Sequence, residues 1–291
     1  MAGKYIWKAS VYLLLAVLCA VFLFPFIVTL TNSFMSAFEV TNRYTMDYTV
    51  TNNFDGKTGI HFAEISLIPN FIDFAQYIKL LFSTTLYLGL FFNSVKLVVP
   101  IVIGQLLVSV PAAYAIEMSE NRFKEVFFFI YILIMLLPLQ VTIVPNFIMA
   151  QSLSISGNAA IILPAVFSPF GVFLVRQFMK GLPRDYVEAA QVDGAGAFRI
   201  FLQVIFPIIK PAAASLAMLV FVEHWNMVDQ AVVFIKESVN EPMSVYLSRL
   251  TTDFDMDIIF AASCFYMLPA VLIFLFGKEY MIEGIQLSGI K

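Results

Sequence analysis

Five side chains at the end of an apolar stretch concentrate the polar chemistry of this sequence: Glu223, His224, Trp225, Asn226 and Asp229. Ionisable groups at membrane depth are costly and by default face a bundle interior or a water-filled path. Glu223 and Asn226 stand three apart, and Trp225 and Asp229 four apart, so one continuous helix would present at least two polar faces. A ring for stacking beside carboxylates and amides for hydroxyls suits the path of a sugar-like solute. The same residues would serve as interhelical hydrogen bonds or lie at the membrane surface. Asn93, Lys96, Gln105 and Gln140 are further intramembrane polar candidates of the same kind.

Other constellations fail on spacing. Gly56-Lys57-Thr58 imitates the end of a phosphate-binding loop, but the first glycine of that motif would fall on Thr51. Gly194 to Arg199 lacks the third glycine of a dinucleotide fingerprint, so no nucleotide site is expected in this chain. Asp253, Asp255 and Asp257 alternate as calcium ligands do, yet a calcium loop needs a glycine at its sixth position and a glutamate at its twelfth, which is Cys264. They read as an acidic external lip. His61 and His224 are the only histidines and lie far apart, without metal-ligand spacing. Neither a metal site nor a nucleophile–base pair is expected. Cys19 and Cys264 both lie in apolar stretches and read as small buried hydrophobes.

The longest polar interruption of the second half runs from Gly181 to Pro211. Pro183 suits a first helical turn, and Asp185 and Glu188 complement a helix N-terminus. Ala189 and Ala190 offer a small face for close approach. Gly194 permits a turn, and Asp193 is placed to cap a second helix from near Ala195 to near Pro207. Helix, glycine turn and helix between membrane spans make a docking knob.

Glu188-Ala189-Ala190-Gln191-Val192-Asp193-Gly194-Ala195, with Pro207 and Pro211 downstream, resembles the signature cytoplasmic loop of bacterial ABC-importer permeases. Asn93-Ser94, Ala112-Ala113-Tyr114-Ala115, Leu137-Pro138, Trp225-Asn226, Leu268-Pro269 and the ending Gly284, Gly289-Ile290-Lys291 extend the resemblance, in order, to the sugar-importer branch and its maltose-type shorter permease subunit. The resemblance covers residues 10 to 291; a polar loop over 36–75 is longer than that family needs. It implies a coupling helix seated in a cleft of an ATPase, with Arg184, Asp185, Glu188, Ala189, Ala190, Asp193, Gly194 and Ala195 as the docking set. It also implies a second homologous permease chain, two cytoplasmic ATPase subunits, an extracytoplasmic solute-binding protein and a sugar cargo. ATP and magnesium would bind in the ATPases, with no cofactor held by this chain. Asn93, Gln140, Glu223, Trp225, Asn226 and Asp229 would line the substrate path. The tail after Lys278 would lie near the ATPase.

Composition sets the class of fold able to position these groups. Of the 291 residues 60% are hydrophobic and 13% charged, with net charge −3, and the mean hydropathy is +0.88. Such a surface needs lipid as solvent, so the expectation is an all-α polytopic membrane protein. The small net charge argues against a nucleic-acid partner. Six apolar stretches, near 11–31, 86–115, 126–149, 157–178, 208–231 and 257–277, are long enough to cross roughly 30 Å of hydrocarbon. The first is too long for a signal-peptide core and reads as a retained span.

Lys4, Lys8, Arg122, Lys124, Arg176, Lys180, Arg184, Arg199, Lys210, Lys278 and Lys291 fall on one side, against Arg43, Lys57, Lys79, Lys236 and Arg249 on the other. The positive-inside rule then puts both termini and the Glu188 loop in the cytoplasm, and the resemblance implies the inner membrane of a bacterial cell. The expected organisation is a cytoplasmic segment 1–10 and one transmembrane domain over 11–291. That domain has an external loop at 36–83, a coupling loop at 179–207 and a cytoplasmic tail at 278–291. Tyr44 to Thr51 has β-like character and Asn52 to Gly59 reads as a turn, in a loop expected to be solvated. Two rival readings stay open: an ABC permease for a non-sugar solute, and an ion-coupled secondary transporter in which Glu223 and Asp229 titrate.

Overall fold

The computed structural model describes residues 2–44, 65–83, 85–252 and 256–289, and is helical almost throughout. The helices are α1 (Ala2–Asn32), α2 (Ala37–Tyr44), α3 (Ala75–Ile78), α4 (Leu86–Met118), α5 (Lys124–Met135), α6 (Leu139–Ser152), α7 (Asn158–Val166), α8 (Pro169–Met179), α9 (Asp185–Val192), α10 (Ala197–Ile200), α11 (Phe206–Ile208), α12 (Lys210–Trp225), α13 (Asp229–Phe234), α14 (Met243–Thr252) and α15 (Met256–Gly289). No strand occurs among the described residues, as expected from the composition.

Four segments are long and apolar enough to cross a membrane as they stand: Trp7–Asn32, Leu86–Met118, Asn158–Met179 and Ile258–Tyr280. The other two expected spans are broken. α5 and α6 meet at 98°, and the segment Ala197–Ile208 meets α12 at 73°. Proline explains both. Pro138 at the N-cap of α6 excludes Leu137 from helical geometry. Pro207 and Pro211 remove backbone donors on either side of Ile209, and a π-helical turn at Phe201–Ile205 precedes the break. The expected continuous helices over 126–149 and 208–231 are therefore not formed. α12 ends at Trp225, so Trp225 and Asp229 do not share a face of one helix.

The chain divides into two compact units. The first comprises Met1–Leu88 and Tyr246–Leu268. Here α1 exposes apolar side chains along most of its length, as a lipid-facing helix does. Of the segments flanking residues 45–64, 65–75 is largely exposed, as expected of a solvated loop, while Glu39, Val40, Gln76 and Leu80 are buried. Glu39 is buried, accepts from the Asn70 backbone N–H at 3.1 Å and pairs with Arg43 at 3.1 Å. Tyr77 donates to Ser33 Oγ at 2.7 Å, and the Phe34 ring meets Phe74 edge-on at 5.5 Å. The β-like and turn stretches expected after Tyr44 lie outside the described residues; Tyr44 itself ends α2. Cys264 is buried, whereas Cys19 is exposed on α1, contrary to the burial expected for both.

The second unit comprises Gly89–Val245 and Pro269–Lys291. Its core runs from Leu97 and Ile101 of α4 through Val172 and Val175 of α8 to Ile200, Ile205 and Leu216. The α4–α8 packing depends on a missing side chain. A Cβ at Gly171 would collide with the Ser109 hydroxyl and lie 2.8 Å from Ser109 Cβ. Close helix approach through small residues is the usual way spans associate in lipid. Gly171→Ala is expected to destabilise the detergent-solubilised protein by about 1–3 kcal/mol. Adding Ser109→Gly should recover part of the lost melting temperature. A Gly171→Ala protein as stable as the parent would show that the helices do not pack at this distance.

Candidate functional site

The polar knob forms as a short, tightly terminated helix. Asp185 and Glu188 lie in the first turn of α9, where carboxylates complement the helix dipole. Its end is a Schellman motif. Gly194 takes φ 76°, its N–H donates to Gln191 O at 2.9 Å, and the Ala195 N–H reaches back to Ala190 O at 3.0 Å. Two local expectations are corrected. Asp193 is the C-cap of α9 and caps nothing downstream; the N-cap of α10 is Gly196. Pro183 precedes the N-cap Arg184 and so lies outside the first helical turn.

The knob has two faces. Val187, Ala190 and Ala195 pack against the core of the second unit, together with Leu182. Arg184, Asp185, Glu188, Ala189, Asp193 and Gly194 are exposed, as are large apolar side chains at Tyr186, Val192 (88%) and Phe198 (74%). The paired alanines thus point differently: Ala189 outward, Ala190 inward. An open polar cleft of about 510 Å³ lies between α9 and the turn joining α4 to α5, with Arg184 and Glu188 on one wall and Glu120 and Arg122 on the other.

A buried cation holds the helices that carry this knob. Arg176, near the end of α8, is 0% exposed. Its Nε donates to Glu117 Oε2 at 3.0 Å at the end of α4, and its Nη2 to Glu125 Oε1 at 2.6 Å at the start of α5. The guanidinium lies 3.9 Å from the centroid of the Phe128 ring. Lys180 adds a longer pairing with Glu125 at 3.8 Å, and Lys124 donates to the Glu117 carbonyl at 3.1 Å. Sequence reasoning counted Arg176 only as a positive-inside residue. Its partners are 59 and 51 residues away, and no local spacing announces them.

The intramembrane candidates scatter. The Asn93 side chain donates to Val239 O at 2.7 Å and Glu241 O at 3.2 Å, tying the segment before α14 to α4. Trp225 is buried, stacked on Phe221 at 5.2 Å and edge-on to Phe91 at 5.7 Å. Asn226 follows α12 and donates to Val222 O at 2.8 Å. Asp229 opens α13 and is exposed, and Gln140 is exposed in the first turn of α6. Glu223 lines an open cavity of about 640 Å³, beside His224. Thr142 and Asn146 of α6, Gln230 of α13 and Ser168 add to its polar wall. Thr142 and Asn146 are four apart on one helical face, which Gln140 does not share.

No group of three or more His, Cys, Asp or Glu residues suited to a metal ion occurs among the described residues. Asp253 and Asp255 of the acidic lip, and His61, lie outside them.

Removing the Arg176 charge leaves Glu117 largely buried without compensation. Arg176→Met is expected to cost on the order of 3 kcal/mol, read as a lowered melting temperature in detergent. Arg176→Lys should lose much of the same stability, because an ammonium cannot serve two carboxylates and a ring face in this fork geometry. An unchanged melting temperature for both would show the cluster to be dispensable.

Residues 105–281 match the family described as binding-protein-dependent transport system inner membrane component. The arabinooligosaccharides transport system permease protein AraQ of Halalkalibacterium halodurans is 29% identical over 226 residues, covering 77% of this chain and 81% of that protein. The sn-glycerol-3-phosphate transport system permease protein UgpE of Yersinia pestis is 28% identical over 198 residues, covering 66% and 70%. Among solved structures, a chain of a bacterial ABC transporter involved in the import of the acidic polysaccharide alginate superposes with a TM-score of 0.78 at 22% identity, over 97% of this chain and 98% of that one.

Proposed function

The chain belongs to the family of binding-protein-dependent transport system inner membrane components, and on that premise we propose that it carries a sugar or oligosaccharide inward as one permease of an ATP-driven ABC importer. Its partners in this reading are a second, homologous permease chain, two cytoplasmic ATPases that bind ATP and magnesium, and an extracytoplasmic solute-binding protein. The chain itself hydrolyses nothing. Both termini and the α9–α10 knob face the cytoplasm, consistent with the lysine and arginine bias.

The observation that carries the coupling role is the Schellman-terminated α9 with its exposed apolar trio Tyr186, Val192 and Phe198 beside the first-turn acids Asp185 and Glu188. A rigid, short helix with a mixed apolar and acidic outer face suits a cleft lined by apolar and basic groups. Its inner face is packed onto the helical core, so a displacement at α9 is passed on to α10 and the π-helical turn at Phe201–Ile205. ATP-driven closure of the ATPases then rocks the bundle between inward-open and outward-open states.

The test is recovery of partners from detergent-solubilised membranes. Wild type should bring down an ATPase and a second permease. Gly194→Val forces a β-branched residue into a left-handed position, costing about 1–2 kcal/mol; it should lose the ATPase while keeping the second permease, which reports that the bundle is folded. Glu188→Ala should weaken ATPase recovery about tenfold, or ~1.4 kcal/mol. A wild-type chain that purifies alone and transports in vesicles without ATP would overturn the importer reading in favour of coupling to an ion gradient.

A further inference from the structure

The cavity at the end of α12 has a chemistry of its own. It opens where three proline-bearing segments diverge, with Pro145 inside α6, Pro164 inside α7 and Pro169 at the start of α8. At about 640 Å³ it falls within the ~300–1,000 Å³ of ordinary small-solute sites. Its polar groups are hydroxyl, amide, imidazole and carboxylate, from Thr142, Ser168, Asn146, Gln230, His224 and Glu223. The rings of Phe170 and Phe234 supply apolar faces on the same wall.

Neither lysine nor arginine lines this cavity among the described residues. Glu223 is exposed to it and has no ion-pair partner among the described residues. The His224 Nδ1–H donates to Val220 O at 2.9 Å, which leaves Nε2 directed to other partners. The carboxylate offers acceptors, Asn146 and Gln230 offer donors as well, and no lysine or arginine supplies a permanent compensating cation among the described residues. A neutral polyol matches that set. A phosphate or uronate does not: a second negative charge ~6 Å from Glu223, at an effective dielectric constant of ~20, is disfavoured on the order of a hundredfold.

We propose that this cavity is a cargo-contacting subsite selective for neutral saccharides, with Glu223 as its anion-rejecting residue and Asn146, His224 and Gln230 as hydroxyl partners. The proposal rests on the importer reading and adds the charge class of the cargo. It separates this chain from relatives named for glycerol 3-phosphate and places its cargo chemistry with the neutral arabino-oligosaccharides.

The test reads the cavity's charge selectivity without knowing the sugar. In a Cys19→Ala, Cys264→Ala background, Asn146→Cys is labelled in the purified complex with a cationic and an anionic methanethiosulfonate, each rate normalised to a free thiol. Thr142→Cys serves as the second reporter. The cationic reagent should be favoured at least about tenfold, and Glu223→Gln should collapse that ratio toward one. Raffinose should slow labelling more than glycerol 3-phosphate does.

Failure of both cysteines to label would mean that the cavity is filled, for example by the second permease, and would overturn the proposal. So would a preference for the anionic reagent, a ratio indifferent to Glu223→Gln, or stronger protection by glycerol 3-phosphate. The importer reading fails separately, by absence of a co-purifying ATPase, and that result leaves the charge ratio standing or falling on its own.

Discussion

A guanidinium buried away from water is tolerable only if its charge is answered, and Arg176 of α8 meets that condition with groups from two further helices. Glu117 closes α4, Glu125 opens α5, and Phe128 one turn later covers the guanidinium plane. Desolvating such an ion costs several kcal/mol, so its partners cannot drift without exposing an uncompensated charge. The constraint fixes the ends of α4, α5 and α8 against one another. Because α9 begins six residues after α8 ends, the orientation of the exposed knob is inherited from this cluster. A signal passed between the knob and the bundle has to travel through or around it.

The membrane-embedded part obeys a different economy. In lipid there is no hydrophobic drive between apolar helices, so association rests on close packing and on a few polar contacts. Gly171 against Ser109 shows the first, and Asn93 bonded to the Val239 and Glu241 carbonyls shows the second. Breaks supply what straight helices cannot. The 98° bend before α6 and the loss of helix after Trp225 bring Thr142, Asn146, Glu223 and Gln230 to one cavity, although they come from helices on either side of those breaks. Irregular backbone at membrane depth is tolerated where it is buried in protein or lines such a cavity. Polar cavity and proline breaks are thus two consequences of one design.

Much of this was legible in the residues themselves. Hydropathy and length are local sums, so the all-α membrane class and the presence of spans at α1, α4 and α15 could be read directly, though α1 begins before residue 11 and α15 continues past 277. Gly194 and the acids of the first turn of α9 are also local, because a left-handed C′ position and a helix dipole act over one turn. The roles of Asp193 and Pro183 were misjudged by only a few residues, since cap placement depends on where the helix starts and the tertiary contacts of Val187 and Ala190 decide that.

What the sequence could not determine is everything that depends on distance in space between residues far apart in the chain. Trp225 reads as a stacking platform for cargo, yet it is buried, with Phe221 stacked on it and Phe91 edge-on. Asp229 looks helical with Trp225 until α12 stops between them. Arg176 counts as one more cytoplasmic positive charge until Glu117 and Glu125 arrive beside it. Composition and periodicity decide which solvent each segment prefers and where a helix is permitted. Tertiary structure alone decides which polar groups are consumed by packing and which remain to meet a solute, because burial is a property of the neighbours and not of the residue.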